Sequence, residues 1–171
     1  MLSDLAPQAA RITINANGDI SRLRDLGLEI IPDTIPDYAG PLAGVLAGLD
    51  WMAKTHPDKA HLLTVPCDCP FLPRDLAAKL VAARNQSGLP LACAHSGDFS
   101  HPAIALWPVD LREDLRKALR DDQLHKVQLW QRRHGCAEAS WPVAPFDPFL
   151  NVNHPDDVAR ANIIAEQWPD A

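Results

Sequence analysis

Apolar positions in this chain come in short blocks separated by polar, proline-rich joints. Ala60–Val65 is apolar and partly β-branched, and reads as a buried strand. Pro73–Arg84 follows it as a helix with proline in its first turn. The same alternation runs along most of the sequence. Residues 1–10 read as the end of a helix and a loop. Strands are predicted over 11–17, 28–31, 89–94 and 101–107, with an edge strand over 136–143. Helices are predicted over 20–26 (stopped by Gly27), 41–54, 110–119, 127–133 and 156–167. Strands alternating with helices imply an α/β layered fold with a mostly parallel sheet, in one domain over 1–171.

Within the 41–54 helix, Gly40, Gly44 and Gly48 recur every fourth position and so share one face. Glycine costs a helix about 1 kcal/mol relative to alanine, so something is expected to pass close to that face. The two readings are tight helix–sheet packing and a ligand against the first turn near Gly44.

Composition adds limits rather than a function. The formal net charge is −6, which argues against a non-specific nucleic-acid binder. The one basic cluster, Lys126, Arg132, Arg133 and His134, reads equally as a solvated helix end or a phosphate contact. The four cysteines lack zinc-site spacing and are expected to be reduced thiols. No apolar run is long enough for a membrane span and no signal peptide opens the sequence, so a cytoplasmic location is expected.

The polar residues that could carry chemistry gather at element ends: Asn15 and Asn17, Asp33 and Asp37, Asp68, His95 with Asp98 and His101, and Asn151 with Asn153. In open parallel sheets ligands bind beyond the carboxyl ends of strands, so these tips can share one crevice. Asp68, just past a strand, is a candidate ligand for a divalent cation, or else caps the turn before Phe71. Asn15 could bond a base edge or sugar, or form its own turn. His101 before Pro102 could act in catalysis or bind phosphate, or be structural. Asn151-Val152-Asn153 could set one amide beside the metal with Val152 facing the core, or cap a helix. No nucleophile–base pair stands out, and phosphoryl chemistry needs none.

Five segments then occur in order: Asn15-Ala16-Asn17, Asp37-Tyr38-Ala39-Gly40-Pro41-Leu42-Ala43-Gly44, Pro66-Cys67-Asp68-Cys69-Pro70, His101 to Leu106, and Asn151-Val152-Asn153-His154-Pro155. Together they resemble the molybdenum cofactor guanylyltransferases. The resemblance implies a three-layer, Rossmann-like nucleotidyltransferase fold and transfer of GMP from GTP to molybdopterin, with release of pyrophosphate. It implies Asn15, Asp33 and Gly44 around guanosine, and Asp68 binding Mg2+ that bridges the nucleotide phosphates. His101, Pro102, Asn151 and Asn153 would line the pterin side or support the reacting centre, with Asp68, His101 and Asn153 as catalytic candidates. Molybdoenzyme chaperones or apoenzymes are the implied protein partners. Neither nucleic acid nor membrane is implied.

Family members open with a strand and a glycine-rich loop of the type Leu-Ala-Gly-Gly, followed by an Arg, a Met-Gly and a Lys, which wraps the triphosphate. This sequence contains no such loop and begins near the end of the family's first crossover helix. The expectation is an N-terminally incomplete fold, from a misplaced start codon or a truncated gene, with weak nucleotide transfer or none. The alternatives are a CTP- or sugar-phosphate-using nucleotidyltransferase and a non-catalytic pterin- or partner-binding fragment.

Overall fold

A computed structural model describes residues 1–35 and 40–169. The first helix, α1 (Leu2–Leu5), continues into a single 3-10 turn. Strands β1 (Thr13–Asn15) and β2 (Glu29–Ile31) pair in parallel, Ile14 opposite Ile30, across a 3-10 segment at Ser21–Leu26. Gly27 ends that segment with φ 63°, a left-handed conformation that a side chain would strain. Next come α2 (Pro41–Thr55), β3 (His61–Thr64) and α3 (Leu76–Ser87). The chain continues with β4 (Leu91–Ser96), β5 (Phe99–Pro108), α4 (Arg112–Arg120), α5 (Val127–His134), β6 (Cys136–Trp141) and α6 (Pro155–Gln167). The third predicted helix starts at Leu76, not Pro73, because residues 73–75 form a turn before it.

The α/β fold is as predicted, and its larger sheet is mixed rather than purely parallel. The four-stranded sheet has the order β3-β5-β4-β6, and β5 runs antiparallel to both of its neighbours. The segment 95–100 between the two predicted strands holds a turn of only two residues, because Ser96 pairs with Phe99 and leaves only Gly97 and Asp98 between them. A two-residue connection can join only antiparallel strands. Strands β3, β4 and β6 share the opposite direction, so their carboxyl ends meet the start of β5 at one rim. Strand β6 is an edge strand among the described residues, as predicted. The β1–β2 pair is a separate sheet, and α2 packs against β1, β2 and β3.

Period-2 alternation divides the core between the two faces of the larger sheet. Leu91, Cys93, Ala105 and Trp107 face α2, α4 and α5 through Leu46, Leu49, Leu115 and Trp130. Ala92, Ala94, Ile104, Leu106, Ala137 and Ala139 face α3, Leu72 and Phe149. The result is three layers, helix–sheet–helix. In β3 all four residues are only half-buried, and among the described residues it pairs along one edge alone. The Trp107 indole donates to Thr64 Oγ1 at 2.7 Å, tying β3 to β5 from within the layer.

Candidate functional site

The predicted site residues fall into two groups. The first lies at the carboxyl ends of β1 and β2. The Asn15 amide donates to Asp33 Oδ1 at 3.0 Å and to the Ile31 carbonyl at 3.2 Å. The Asn17 amide donates to Asp33 Oδ2 at 2.8 Å, and the Asp33 backbone N–H donates back to Asn17 Oδ1 at 2.9 Å. Both carboxylate oxygens are thus oriented by amides and keep further acceptor capacity. Asn17, which the sequence marks as a polar tip and part of the first motif without assigning it a role, grips Asp33 on the side opposite Asn15.

Gly44 explains why Asn15 can sit there. A Cβ at Gly44 would lie 2.4 Å from Asn15 Oδ1, and one at Gly48 would lie 2.8 Å from Leu62 Cδ2. The glycine face of α2 therefore receives protein atoms from β1 and β3, which favours the packing reading over direct ligand contact. Gly44 shapes the first group by making room for Asn15. Asp37, Tyr38 and Ala39 of the same motif lie outside the described residues.

The second group occupies the rim of the larger sheet. Asp68 sits half-buried in the turn after β3. Asn151, 83 residues away, donates its amide to Asp68 Oδ2 at 3.3 Å, and the Val152 N–H donates to the Asp68 carbonyl at 2.8 Å. The Cys69 thiol donates to Asn151 Oδ1 at 3.2 Å. Burial, with the Asp68 carboxylate beside it, pushes the Cys69 thiol up to about 12, so it remains protonated. All four cysteines are free.

His101 Nε2 lies 2.7 Å from Ser96 Oγ, and its ring packs on Phe149 with centroids 4.8 Å apart. Burial holds the imidazole below its ordinary pKa range, with Asp147 opposing and His95 assisting the shift. The Pro102 carbonyl accepts from the buried Gln131 amide at 2.9 Å, which pins the start of β5 against α5. Asn153 takes part in a helix cap: its N–H and that of His154 both donate to Asp157, whose carboxyl they hold below the usual range. Its side chain is exposed at the same loop.

The loop 147–153 thus joins His101 (through Phe149) to Asp68 (through Asn151). No hydrogen bond links this group to the Asn15–Asn17–Asp33 group among the described residues. The basic cluster on α5 reads as a solvated helix end: Arg133 pairs with Asp122 and His134 with Asp114. The chemistry on offer is a carboxylate, amides and an imidazole around an open rim, suited to orienting phosphates.

Residues 1–136 match the family model described as a MobA-like NTP transferase domain. Over 165 residues the chain is 48% identical to the molybdenum cofactor guanylyltransferase of Bradyrhizobium sp. (strain ORS 278), covering 96% of this chain and 78% of that protein. The protein of the same name from Rhizobium meliloti (strain 1021) is 40% identical, covering 98% of this chain and 77% of its own length. Among solved structures, molybdopterin-guanine dinucleotide biosynthesis protein A from Archaeoglobus fulgidus superposes with a TM-score of 0.67 at 19% identity. That match covers 97% of this chain and 85% of the other. A putative protein from Aquifex aeolicus VF5 gives 0.68 at 14% identity, over 85% and 72% of the two chains. These structural likenesses show the fold alone, and the family model is the match that names an NTP transferase domain.

Proposed function

The chain belongs to the MobA-like NTP transferase family, and from that membership we propose that residues 1–171 act as one domain transferring GMP from GTP to molybdopterin. The observation that carries this reading is Asp68: a half-buried carboxylate at the end of β3, oriented by the Asn151 amide, in a chain nearly half identical to named guanylyltransferases. Asn15 and Asp33 bind guanosine, the Asp33 carboxylate accepting from the N–H donors of guanine's edge, and Gly44 leaves room for Asn15. His101, Pro102, Asn151 and Asn153 form the acceptor side.

Asp68 is the residue that would hold Mg2+. The Asn151 amide donates to its Oδ2, while Oδ1 lies 3.8 Å from the Cys69 sulfur. Among the described residues no three His, Cys, Asp or Glu side chains gather to form a protein cage. Magnesium keeps several waters and can bind through one or two carboxylates plus substrate phosphates. When bound, the ion supplies neutralisation of phosphate charge.

In the transfer itself an oxygen of molybdopterin's terminal phosphate attacks the α-phosphorus of GTP. The bond from that phosphorus to the β-bridging oxygen breaks, and pyrophosphate leaves. The protein's part is to align the two phosphates and stabilise the charge that develops between them. A molybdoenzyme chaperone or apoenzyme would receive the product. Among the described residues no helix is long and apolar enough to cross a membrane.

The test is pyrophosphate release and guanine dinucleotide formation by the purified protein with GTP, molybdopterin and MgCl2, with CTP in parallel. Product is expected from GTP, weakly for this sequence, which contains no glycine-rich phosphate loop, and falling further in Asp68→Ala. Equal product from Asp68→Ala, or preference for CTP, would overturn the reading.

A further inference from the structure

We propose that Ser96 is the positioning residue of His101, fixing the imidazole so that Nδ1 is the nitrogen presented to the acceptor phosphate. The inference rests on the transfer reading above for the identity of that phosphate, but the fixing of the ring stands on geometry. Ser96 is wholly buried at the end of β4, where it pairs with Phe99 on one side and Trp141 on the other. Its hydroxyl bonds His101 Nε2 at 2.7 Å. A buried hydroxyl without a partner is destabilising, and His101 is the partner the structure provides.

Two constraints then act on one ring. The Ser96 bond fixes the direction of Nε2. Phe149, itself 2% exposed and packed edge-on against Trp141 at 5.2 Å, fixes the ring plane. Nδ1 has no hydrogen-bond partner among the described residues. The loop that carries Phe149 also carries Asn151 to Asp68, so the imidazole and the carboxylate are set by one loop, 147–153. A serine hydroxyl both donates and accepts, so it serves either neutral tautomer and the imidazolium. His101 can therefore change protonation without leaving its place, which is what a group beside a phosphate in transfer requires.

The experiment compares wild type, Ser96→Ala, His101→Gln and the double variant, in turnover of GTP with molybdopterin and in the imidazole region of 15N NMR spectra. Ser96→Ala should lower turnover about tenfold with KM for GTP within about twofold, since one bond to the ring is lost and the base lies in the other group. The double variant should be no slower than His101→Gln alone, because Ser96 acts only through that ring. The His101 15N shifts in Ser96→Ala should change, Nε2 most, because that nitrogen loses its hydrogen-bond partner. Wild-type turnover in Ser96→Ala, multiplied losses in the double variant, or unchanged 15N shifts would each overturn the proposal. A wild-type protein that releases no pyrophosphate from GTP and molybdopterin would count against the transfer reading instead. The spectra would then decide the role of Ser96 by themselves.

Discussion

Replacing Gly44 by alanine is the sharpest test of how this chain builds its first polar group. In a solvated helix the change stabilises by about 1 kcal/mol, because glycine loses more backbone entropy on folding. Here the new methyl would meet Asn15 Oδ1 at 2.4 Å and its Cγ at 3.2 Å. Asn15 is not a loose chain end that can swing away freely. Its amide is held by Asp33 at 3.0 Å and by the Ile31 carbonyl at 3.2 Å. Displacing it gives up two hydrogen bonds worth about 1 kcal/mol each, and residual overlap adds about 1 kcal/mol or more. The net expectation is destabilisation by about 1–3 kcal/mol. Urea unfolding followed by circular dichroism measures it, as a lower midpoint at unchanged slope. The decisive comparison repeats the change in an Asn15→Ala background. With the amide gone the methyl keeps only an ordinary contact with Asp33 Oδ1 at 3.9 Å, and Gly44→Ala should become neutral or stabilising. Gly48→Ala is a second control: its methyl meets the end of the Leu62 side chain, which can rotate, so the net change should stay within about 1 kcal/mol. A Gly44→Ala protein as stable as wild type, or a penalty that persists without Asn15, would refute the reasoning.

Asn17→Ala should free one side of Asp33 and raise KM for GTP several-fold, by roughly the effect of one hydrogen bond, with kcat nearly unchanged; steady-state kinetics check it. Cys67, exposed, should react with a thiol reagent at pH 8, while the buried Cys69 thiol, pushed up to about 12, should not until the protein unfolds; mass spectrometry of labelled peptides reads both. Burial lowers the folded His101 pKa below its unfolded value, about 6.5, so the unfolded chain takes up a proton first as the pH falls. That contribution to stability is present above the unfolded value and is lost as pH falls through it towards the folded one. His101→Asn should thus show a smaller drop in urea midpoint between pH 7.5 and 5.5 than wild type, and an equal drop would contradict the assignment.

Much of the candidate site was legible in the chain because its residues stand at element ends. Asp68 follows an apolar strand, Asn15 and Asp33 close two short ones, and His101 flanks a turn. The four-residue recurrence of Gly40, Gly44 and Gly48 announced a close approach to α2 but not what approaches. Local spacing could not reveal that Asn15 and Leu62, from two different sheets, fill those positions. Ser96 gave little signal, since a single hydroxyl in the polar segment His95-Ser96-Gly97-Asp98-Phe99-Ser100 reads as an ordinary turn residue. Asn17 was visible as a loop tip, but its hold on Asp33 spans 16 residues and a parallel strand pairing.

Hydrophobic periodicity and turn residues determined by themselves which segments become helices and strands and that they layer as α/β, because those choices rest on interactions within a few residues. Direction within the sheet was decided by the folded chain: shortening the turn to Gly97-Asp98 made β5 antiparallel and set it between β3 and β4. The pairing of Asp68 with Asn151, and of His101 with Phe149, likewise exists only once the loop after β6 folds across the rim. Contacts between residues 48 to 83 positions apart depend on the packing of whole layers, and no local pattern encodes them.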